Sequence, residues 1–243
     1  MPEPTAQPAQ PATRLWAIVP AAGIGRRMGA ELPKQYLRLG DRTVLEHSLA
    51  ALGALESLAG VVVVIANGDP HWPGLRCPLT CPVWVAPGGA ERADSVLNAL
   101  QLLRGQAADD DWVLVHDAAR PCVRAEDLRR LLDAVRDDPV GGLLAVPVRD
   151  TMKQADGEDR SVATLDRGRL WHALTPQMFR LGVLREALIA AHTDGLRVTD
   201  DASALEHIGR RPRLVEGHAD NIKITRPEDL ALAEFFLQRQ GRL

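Results

Sequence analysis

A run of small residues followed by cations is the part of the chain best suited to chemistry: Pro20-Ala21-Ala22-Gly23-Ile24-Gly25-Arg26-Arg27-Met28-Gly29, then Pro33-Lys34-Gln35. Small residues at 21, 22, 23 and 25 let a backbone turn tightly and approach a ligand closely. Arg26, Arg27 and Lys34 add positive charge beside those bare amides. Free N–H groups plus cations suit a polyphosphate. Two familiar phosphate loops do not fit. The dinucleotide fingerprint asks for a third glycine where Met28 stands, and for an acid closing the second strand, where the chain has Asn67. A Walker loop needs Gly-Lys-Ser/Thr, which is absent here.

The elements that must carry this loop are legible as an alternation. Leu15–Val19, Gly60–Ala66, Val83–Ala86, Trp112–His116 and Gly142–Val148 are near-continuous apolar runs, the pattern of strands covered on both faces. Thr43-Val44-Leu45-Glu46 is a capping box opening a helix through Leu55. Glu91–Leu103 and Arg124–Arg136 carry apolar residues at helical spacing. Thr225-Arg226-Pro227-Glu228 reads as a second box, starting a last helix through about Gln238 with Pro227 in its first turn. The fold class is therefore α/β, a doubly wound, mostly parallel sheet. Ligands in such sheets sit at the carboxyl ends of strands. The small-residue loop, Gly88-Gly89 and Asp117 all fall there.

Composition bounds the partners. The chain has 243 residues, 46% hydrophobic, with a net charge of −3, enough for a sizeable core and too little basic excess for non-specific nucleic-acid binding. No apolar run approaches the ~20 residues that span a bilayer. Residues 1–13, rich in Pro, Ala and Gln, lack the features of a signal or transit peptide and read as a disordered tail, which places the chain in the cytoplasm. Residues 14–243 read as one domain, and the chain stops just after its last helix, with no fused second enzyme expected. Cys77, Cys81 and Cys122 imply no disulfide framework, and His71 with Cys77 and Cys81 matches no common zinc spacing. One segment breaks the alternation. Arg149–Gln177 is polar, and its Thr151-Met152-Lys153 and Val162-Ala163-Thr164-Leu165 runs flank the turn signal Asp156-Gly157. Such a two-stranded ribbon is marginal alone in water, and a second copy of the chain is the simplest support.

Seven motifs then fall in order. They are the opening loop with Pro33-Lys34-Gln35-Tyr36; Gly88-Gly89-x-x-Arg92-x-x-Ser95-Val96; and Val115-His116-Asp117-Ala118-Ala119-Arg120-Pro121. Asp150-Thr151-Met152-Lys153, Trp171-x-x-Leu174-Thr175-Pro176-Gln177, Thr199-Asp200-Asp201 and Asn221-Ile222-Lys223-Ile224-Thr225 complete them. From Leu15 to the last helix the chain resembles the 2-C-methyl-D-erythritol 4-phosphate cytidylyltransferase family of the non-mevalonate isoprenoid pathway. One position departs: Ala90 stands where the family often has an acid that serves the ribose or base.

The resemblance implies a Rossmann-like nucleotidyltransferase fold with a projecting β-arm, 149–170, and transfer of a cytidylyl group from CTP to a sugar-alcohol phosphate with Mg²⁺, releasing pyrophosphate. It implies that Arg27, Lys34, Arg167 and Lys223 are the catalytic group. CTP would lie along Ala21, Ala22, Gly23, Gly25, Gly88, Gly89, Ser95 and Ala118. Asp117, Arg120, Thr151 and Thr175 match the family's other substrate contacts. Mg²⁺ would ride mainly on CTP phosphates and water, with Asp117 and Asp220 as further oxygen ligands. A homodimer is implied too, its arms embracing, so that Thr151 and Arg167 serve the partner's site. The attacking phosphate oxygen is already ionised, so His116 reads as a packing residue and not a base. Trp171 reads as an arm anchor. The alternative acceptor is a pentitol phosphate such as ribitol 5-phosphate. An NAD-dependent oxidoreductase and a non-catalytic nucleotide sensor are the more distant alternatives.

Overall fold

A computed structural model describes residues 13–23 and 32–243. Most of the expected tail, 1–12, and the segment 24–31, with Gly25 and Arg27, lie outside the described residues. In chain order the strands are β1 (Leu15–Pro20), β2 (Arg38–Leu39), β3 (Arg42–Thr43), β4 (Leu58–Ile65), β5 (Val83–Pro87), β6 (Trp112–Val115), β7 (Gly141–Pro147), β8 (Met152–Ala155), β9 (Ser161–Leu165), β10 (Trp171–Arg180) and β11 (Arg213–Glu216). The helices are α1 (Val44–Leu52), α2 (Arg92–Leu102), α3 (Ala125–Val135), α4 (Leu181–Thr193), α5 (Asp201–His207) and α6 (Pro227–Arg239).

Seven strands form the central sheet in the order β11-β7-β10-β6-β1-β4-β5. Pairing is parallel except along β10, which runs antiparallel to both β6 and β7. Alternate residues of β1 feed two cores. Leu15, Ala17 and Val19 pack with Leu45 and Leu49 of α1 and Leu128 and Leu131 of α3. Trp16 and Ile18 pack with Leu100 of α2, Leu184 and Leu188 of α4 and Leu205 of α5. A strand buried on both sides needs apolar residues at every position, which explains the continuous apolar runs. The expected α/β class and mostly parallel sheet are what the chain forms.

Capping chemistry fixes where helices begin. Thr43 accepts from the Glu46 amide at 3.2 Å while its own amide donates to the Glu46 carboxylate at 2.7 Å, the reciprocal box the sequence predicts. At α6 the expected pairing of Thr225 with Glu228 is corrected. Arg226 is the capping position, and Asp229 accepts from the amides of Thr225 and Arg226 and from the Thr225 hydroxyl, each at 2.8 Å. Glu228 lies one residue too early on the turn to reach those donors.

Two strands of the central sheet were not expected. β10 lies inside or just beyond the segment read as polar, and β11 is a four-residue edge strand. The former explains how the ribbon is mounted. β7 leaves the sheet at its carboxyl edge, β8 and β9 pair antiparallel outside it, and β10 re-enters with Trp171 opposite Pro147. The ribbon is thus a long insertion in an antiparallel pair, projecting from the edge that carries the small-residue loop. Val162 and Leu165 are exposed on it, and its Arg167 donates to the Arg149 carbonyl at its base.

Candidate active site

Loops after β1, β5 and β6 open side by side at the carboxyl edge, where parallel strands all end. Their backbones are stitched to the sheet. Ala21 N–H donates to the Val64 carbonyl at 2.7 Å, Gly88 N–H to that of Ile65 at 2.8 Å, and Ala118 N–H to that of Pro20 at 3.4 Å. Gln35, from the turn carrying Lys34, donates to the Ala21 carbonyl at 2.6 Å and pins that turn beneath the first loop. The glycines are there for closeness. A Cβ on Gly88 would stand 2.4 Å from the Ala22 Cβ, and one on Gly89 would stand 2.3 Å from the Asp94 Cβ. Gly89 N–H also donates to Ser95 Oγ at 3.0 Å, which tucks this loop against the first turn of α2.

Together these loops bound a cavity of about 650 Å³. Of the residues expected to meet a nucleotide, Ala21, Ala22, Gly23, Gly89, Ser95 and Ala118 line it; Gly88 sits just behind Ala22. Lys34, Asp117 and Lys223 line the same cavity. An adjoining cavity of about 230 Å³ shares Asp117, Lys223 and Arg92 with it and brings in Arg120 and Thr175. Most of the expected site residues within the described chain are therefore gathered in two joined spaces. Lys34 Nζ donates to the Ile224 carbonyl at 2.8 Å, which ties it to the loop that bears Lys223.

Asp117 is the hub. Its carboxylate meets Arg92 Nε at 2.9 Å, Lys223 Nζ at 2.8 Å and Arg120 Nε at 3.8 Å. Burial pushes the Asp117 carboxyl up, but the charges of Arg92 and Lys223 overcome it and hold the group far below the usual carboxylate range. His116 beside it is fully buried. Its Nε2 lies 3.0 Å from the Arg120 carbonyl and its Nδ1 3.0 Å from Thr175 Oγ1. Because a carbonyl only accepts, Nε2 carries the proton, the Thr175 hydroxyl donates to Nδ1, and Thr175 Oγ1 accepts from the Asp117 amide at 3.0 Å. Burial drives the His116 pKa down to about 4, so the ring stays neutral and structural, as the sequence reading expects. The register shift in β10 between Ala173 and Gln177 turns Thr175 toward this network.

Three expected residues lie elsewhere. Thr151 and Arg167 belong to the projecting ribbon and line neither cavity. Asp220, expected as a further metal ligand, has other partners. Arg124 grips it with Nη2 at 2.6 Å and Nε at 3.0 Å, Gln240 donates to it at 3.1 Å, and it lines neither site cavity. Those bonds satisfy the carboxylate within the chain's last helix and its neighbour. Among the described residues no three His, Cys, Asp or Glu side chains gather as a metal cage. Asp117, already facing three cations, is a poor ligand for a further one.

Four participants stand in the sequence motifs without a role assigned to them there. Arg92 bridges Asp117 and, through Nη2 at 2.8 Å, the buried Asp201. Asn221 is fully buried, and its Nδ2 donates to the Thr175 carbonyl at 2.8 Å while its own carbonyl accepts from Arg120 Nη1 at 2.7 Å. Gln177 clamps the start of α5. One signal was available. Arg92 opens a helix, where a cation opposes the helix dipole and calls for a carboxylate nearby.

Comparison with known proteins agrees with this arrangement. The family model described as IspD, 2-C-methyl-D-erythritol 4-phosphate cytidylyltransferase, matches residues 15–239. A protein of that name from Pseudomonas entomophila is 61% identical over 216 residues, covering 88% of this chain and 92% of the relative. The crystal structure of the Francisella tularensis 2-C-methyl-D-erythritol 4-phosphate cytidylyltransferase superposes with a TM-score of 0.79 at 36% identity, over 93% of this chain and 100% of that one. A 4-diphosphocytidyl-2C-methyl-D-erythritol synthase from Anaerococcus prevotii gives 0.80 at 27% identity, over 93% and 97%. With its fold and nearly all of its described length matched, the chain belongs to the 2-C-methyl-D-erythritol 4-phosphate cytidylyltransferase family.

Proposed function

We infer that this chain transfers the cytidylyl group of CTP to 2-C-methyl-D-erythritol 4-phosphate, giving 4-diphosphocytidyl-2-C-methyl-D-erythritol and pyrophosphate. Besides family membership, the observation that carries the reading is the convergence of Lys34, Lys223, Arg92 and Arg120 on two joined cavities at the carboxyl edge of the sheet. The acceptor's phosphate oxygen attacks the α-phosphorus of CTP. The bond to the β-phosphate oxygen breaks, and pyrophosphate leaves with the electron pair. The nucleophile is ionised at neutral pH, because the second phosphate pKa is about 6. No general base is needed, which accords with a neutral, enclosed His116. What the reaction does need is positive charge and in-line alignment between two anions.

In this reading the triphosphate runs past the loop after β1, and Lys34, with Arg27 from outside the described residues, offsets charge gathering at the α-phosphorus. Lys223, Arg120 and Thr175 hold the acceptor, whose phosphate competes with Asp117 for the cations that Asp117 keeps in place. Mg²⁺ would be held mainly by CTP phosphates and water, as this small hard cation prefers, and would offset triphosphate charge there. The ribbon 149–170 reaches a second copy of the chain, carrying Thr151 and Arg167 to the partner's cavity. Its exposed Val162 and Leu165, and its origin at the site edge, support this. A cytoplasmic location is part of the proposal and suits an exposed unpaired Cys77. Among the described residues no helix is long and apolar enough to cross a membrane.

The test is pyrophosphate release from CTP, ATP, GTP and UTP, each with 2-C-methyl-D-erythritol 4-phosphate or ribitol 5-phosphate. Sustained release is expected only from CTP with the methylerythritol phosphate. Faster turnover of ribitol 5-phosphate, or release from every nucleotide alike, would overturn the reading.

A further inference from the structure

We propose that Arg92 and Asp201 are positioning residues for the acceptor half of the site: Asp201 fixes Arg92 from behind, and Arg92 sets the Asp117 carboxylate that Lys223 and Arg120 face. The proposal rests on the reading of that half as the place where the acceptor's phosphate binds.

Asp201 has no exposed surface, so it cannot itself touch a substrate. One of its oxygens accepts from Arg92 Nη2 at 2.8 Å, and the other, Oδ1, has no hydrogen-bond partner. A buried carboxylate with an orphaned oxygen is a poor way to stabilise a fold, since apolar residues of the same volume do as well or better. Its placement is nonetheless tightly held. The Gln177 side chain, from β10, donates to Asp200 Oδ2 at 2.8 Å and accepts from the Ala202 amide at 2.8 Å. A single buried side chain thus grips the residues on either side of Asp201. Asp200 adds the capping box with Ser203.

From there the linkage runs outward. The Arg92 guanidinium is planar and rigid, and it spans two carboxylates 84 residues apart in sequence, with Nη2 on Asp201 and Nε on Asp117 Oδ1 at 2.9 Å. That leaves Asp117 Oδ2 for Lys223 at 2.8 Å and Arg120 at 3.8 Å. Lys223 has a flexible stem and three rotatable donors, so it needs a fixed partner to be found in one place. Arg92 lines both cavities and stands at their boundary. If Asp201 is weakened, Arg92 loses its rear anchor, the Asp117 carboxylate is free to turn, and the cations presented to the acceptor's phosphate lose their register. The triphosphate side is held chiefly by the loop backbones and Lys34, and so leans less on this linkage.

The experiment uses the full chain with Asp201→Asn, which keeps the volume and one acceptor oxygen, and with Arg92→Lys, which keeps the charge but cannot bridge two carboxylates. Wild-type turnover with CTP and 2-C-methyl-D-erythritol 4-phosphate is measured first. Its absence would remove the underlying reading and this proposal together. In each variant the acceptor KM should rise about tenfold, the scale seen when the partner behind a ligand is lost, while the CTP KM changes by less than about twofold. The double variant should be no worse than the more damaged single one, because both changes cut the same linkage. Three results would overturn the proposal with the parent reading intact: a lowered melting temperature with unchanged KM for the acceptor, equal rises in both KM values, or multiplying effects in the double variant. Should Asp201→Asn fail to fold, Arg92→Lys alone, on the partly exposed cavity rim, still decides between the first two.

Discussion

Two buried aspartates bracket β6, and their surroundings differ in kind. Asp111 stands at the sheet's amino edge and accepts its close hydrogen bonds from neutral donors in fixed positions, the Arg14 amide at 2.9 Å, Trp16 Nε1 at 2.9 Å and the Ala108 amide at 3.0 Å, with one half-exposed cation, the Arg14 guanidinium, farther off at 3.4 Å. Asp117 stands at the carboxyl edge and faces the side-chain cations of Arg92, Lys223 and Arg120. Burial raises both carboxyls and their donors lower both below the ordinary range, so titration alone would not tell them apart. The donors do. Backbone and indole N–H groups cannot leave their places, which makes Asp111 a rivet. Lysine and arginine can be handed to a competing phosphate, which makes Asp117 a counterion that holds charge in readiness. One strand thus separates a structural end from a chemical end.

The sharpest way to break this contrast is Asp117→Asn. Removing the charge leaves three cations without their common partner, which should cost about 3 kcal/mol of stability, as for other broken buried pairs, along with most of the acceptor turnover. Millimolar pyrophosphate should restore much of the lost melting temperature, because an anion can take the place of the carboxylate. If pyrophosphate helps Asp111→Asn equally, the two ends are not different in kind. Lys34→Ala comes next. Turnover should fall by about 100-fold, the scale of losing one preorganised cationic donor, with little change in melting. A near wild-type rate would remove Lys34 from the chemistry.

His116 sharpens the contrast through pH. An unfolded imidazole takes up a proton near 6.5, whereas the folded one does so only near 4. Between those values the unfolded chain binds more protons, so stability should fall as pH drops from about 6.5 to about 4, by about 3 kcal/mol in all, and be flat above. Denaturant melts along that range should show the slope in the wild type and a clearly shallower one in His116→Gln, the remainder including His47, whose pKa burial also lowers. A slope that persists undiminished would assign the acid sensitivity to other groups. Asp111→Asn is expected to be milder, about 2 kcal/mol, because one amide hydrogen now meets a donor where an oxygen accepted. Its kcat should match the wild type. A fall in kcat would mean that the amino edge is coupled to the site after all.

What could be read from the sequence follows the same division. β1, β4, β6 and β7 are visible because burial on both faces demands unbroken apolar runs, and α1 because Thr43 and Glu46 complete a local box. β10 is hidden because Thr175 and Gln177 are polar for the sake of the site and Pro176 sits in its middle, a residue that ordinarily argues against a central strand. The loops that line the cavities are legible, since small residues and cations are local features. The bridge from Arg92 to Asp201 is not, because it joins residues 109 apart that no periodicity connects. Asp220 shows the complementary limit. An acid beside a turn looks free in sequence, and only the fold supplies Arg124.

The last prediction concerns the one expected site cation, among the described residues, that does not line its own chain's cavity. Arg167 rests at the base of the ribbon on the Arg149 carbonyl, while Lys34 lines the cavity. If the ribbon serves a partner, chains carrying Arg167→Ala and chains carrying Lys34→Ala are each inactive alone, because every site in either homodimer has one defect. In a mixed dimer the site whose cavity retains Lys34 is reached by a ribbon that retains Arg167, and the other site collects both defects. Equal mixing with random subunit exchange should therefore recover roughly a quarter of wild-type activity. A ribbon that folds back on its own cavity gives a different result, since no chain then holds both residues and nothing is recovered. Native mass spectrometry of the mixture establishes whether exchange has occurred. With exchange established, absence of recovery would return Arg167 to its own chain and confine the chemical end of the sheet to a single subunit.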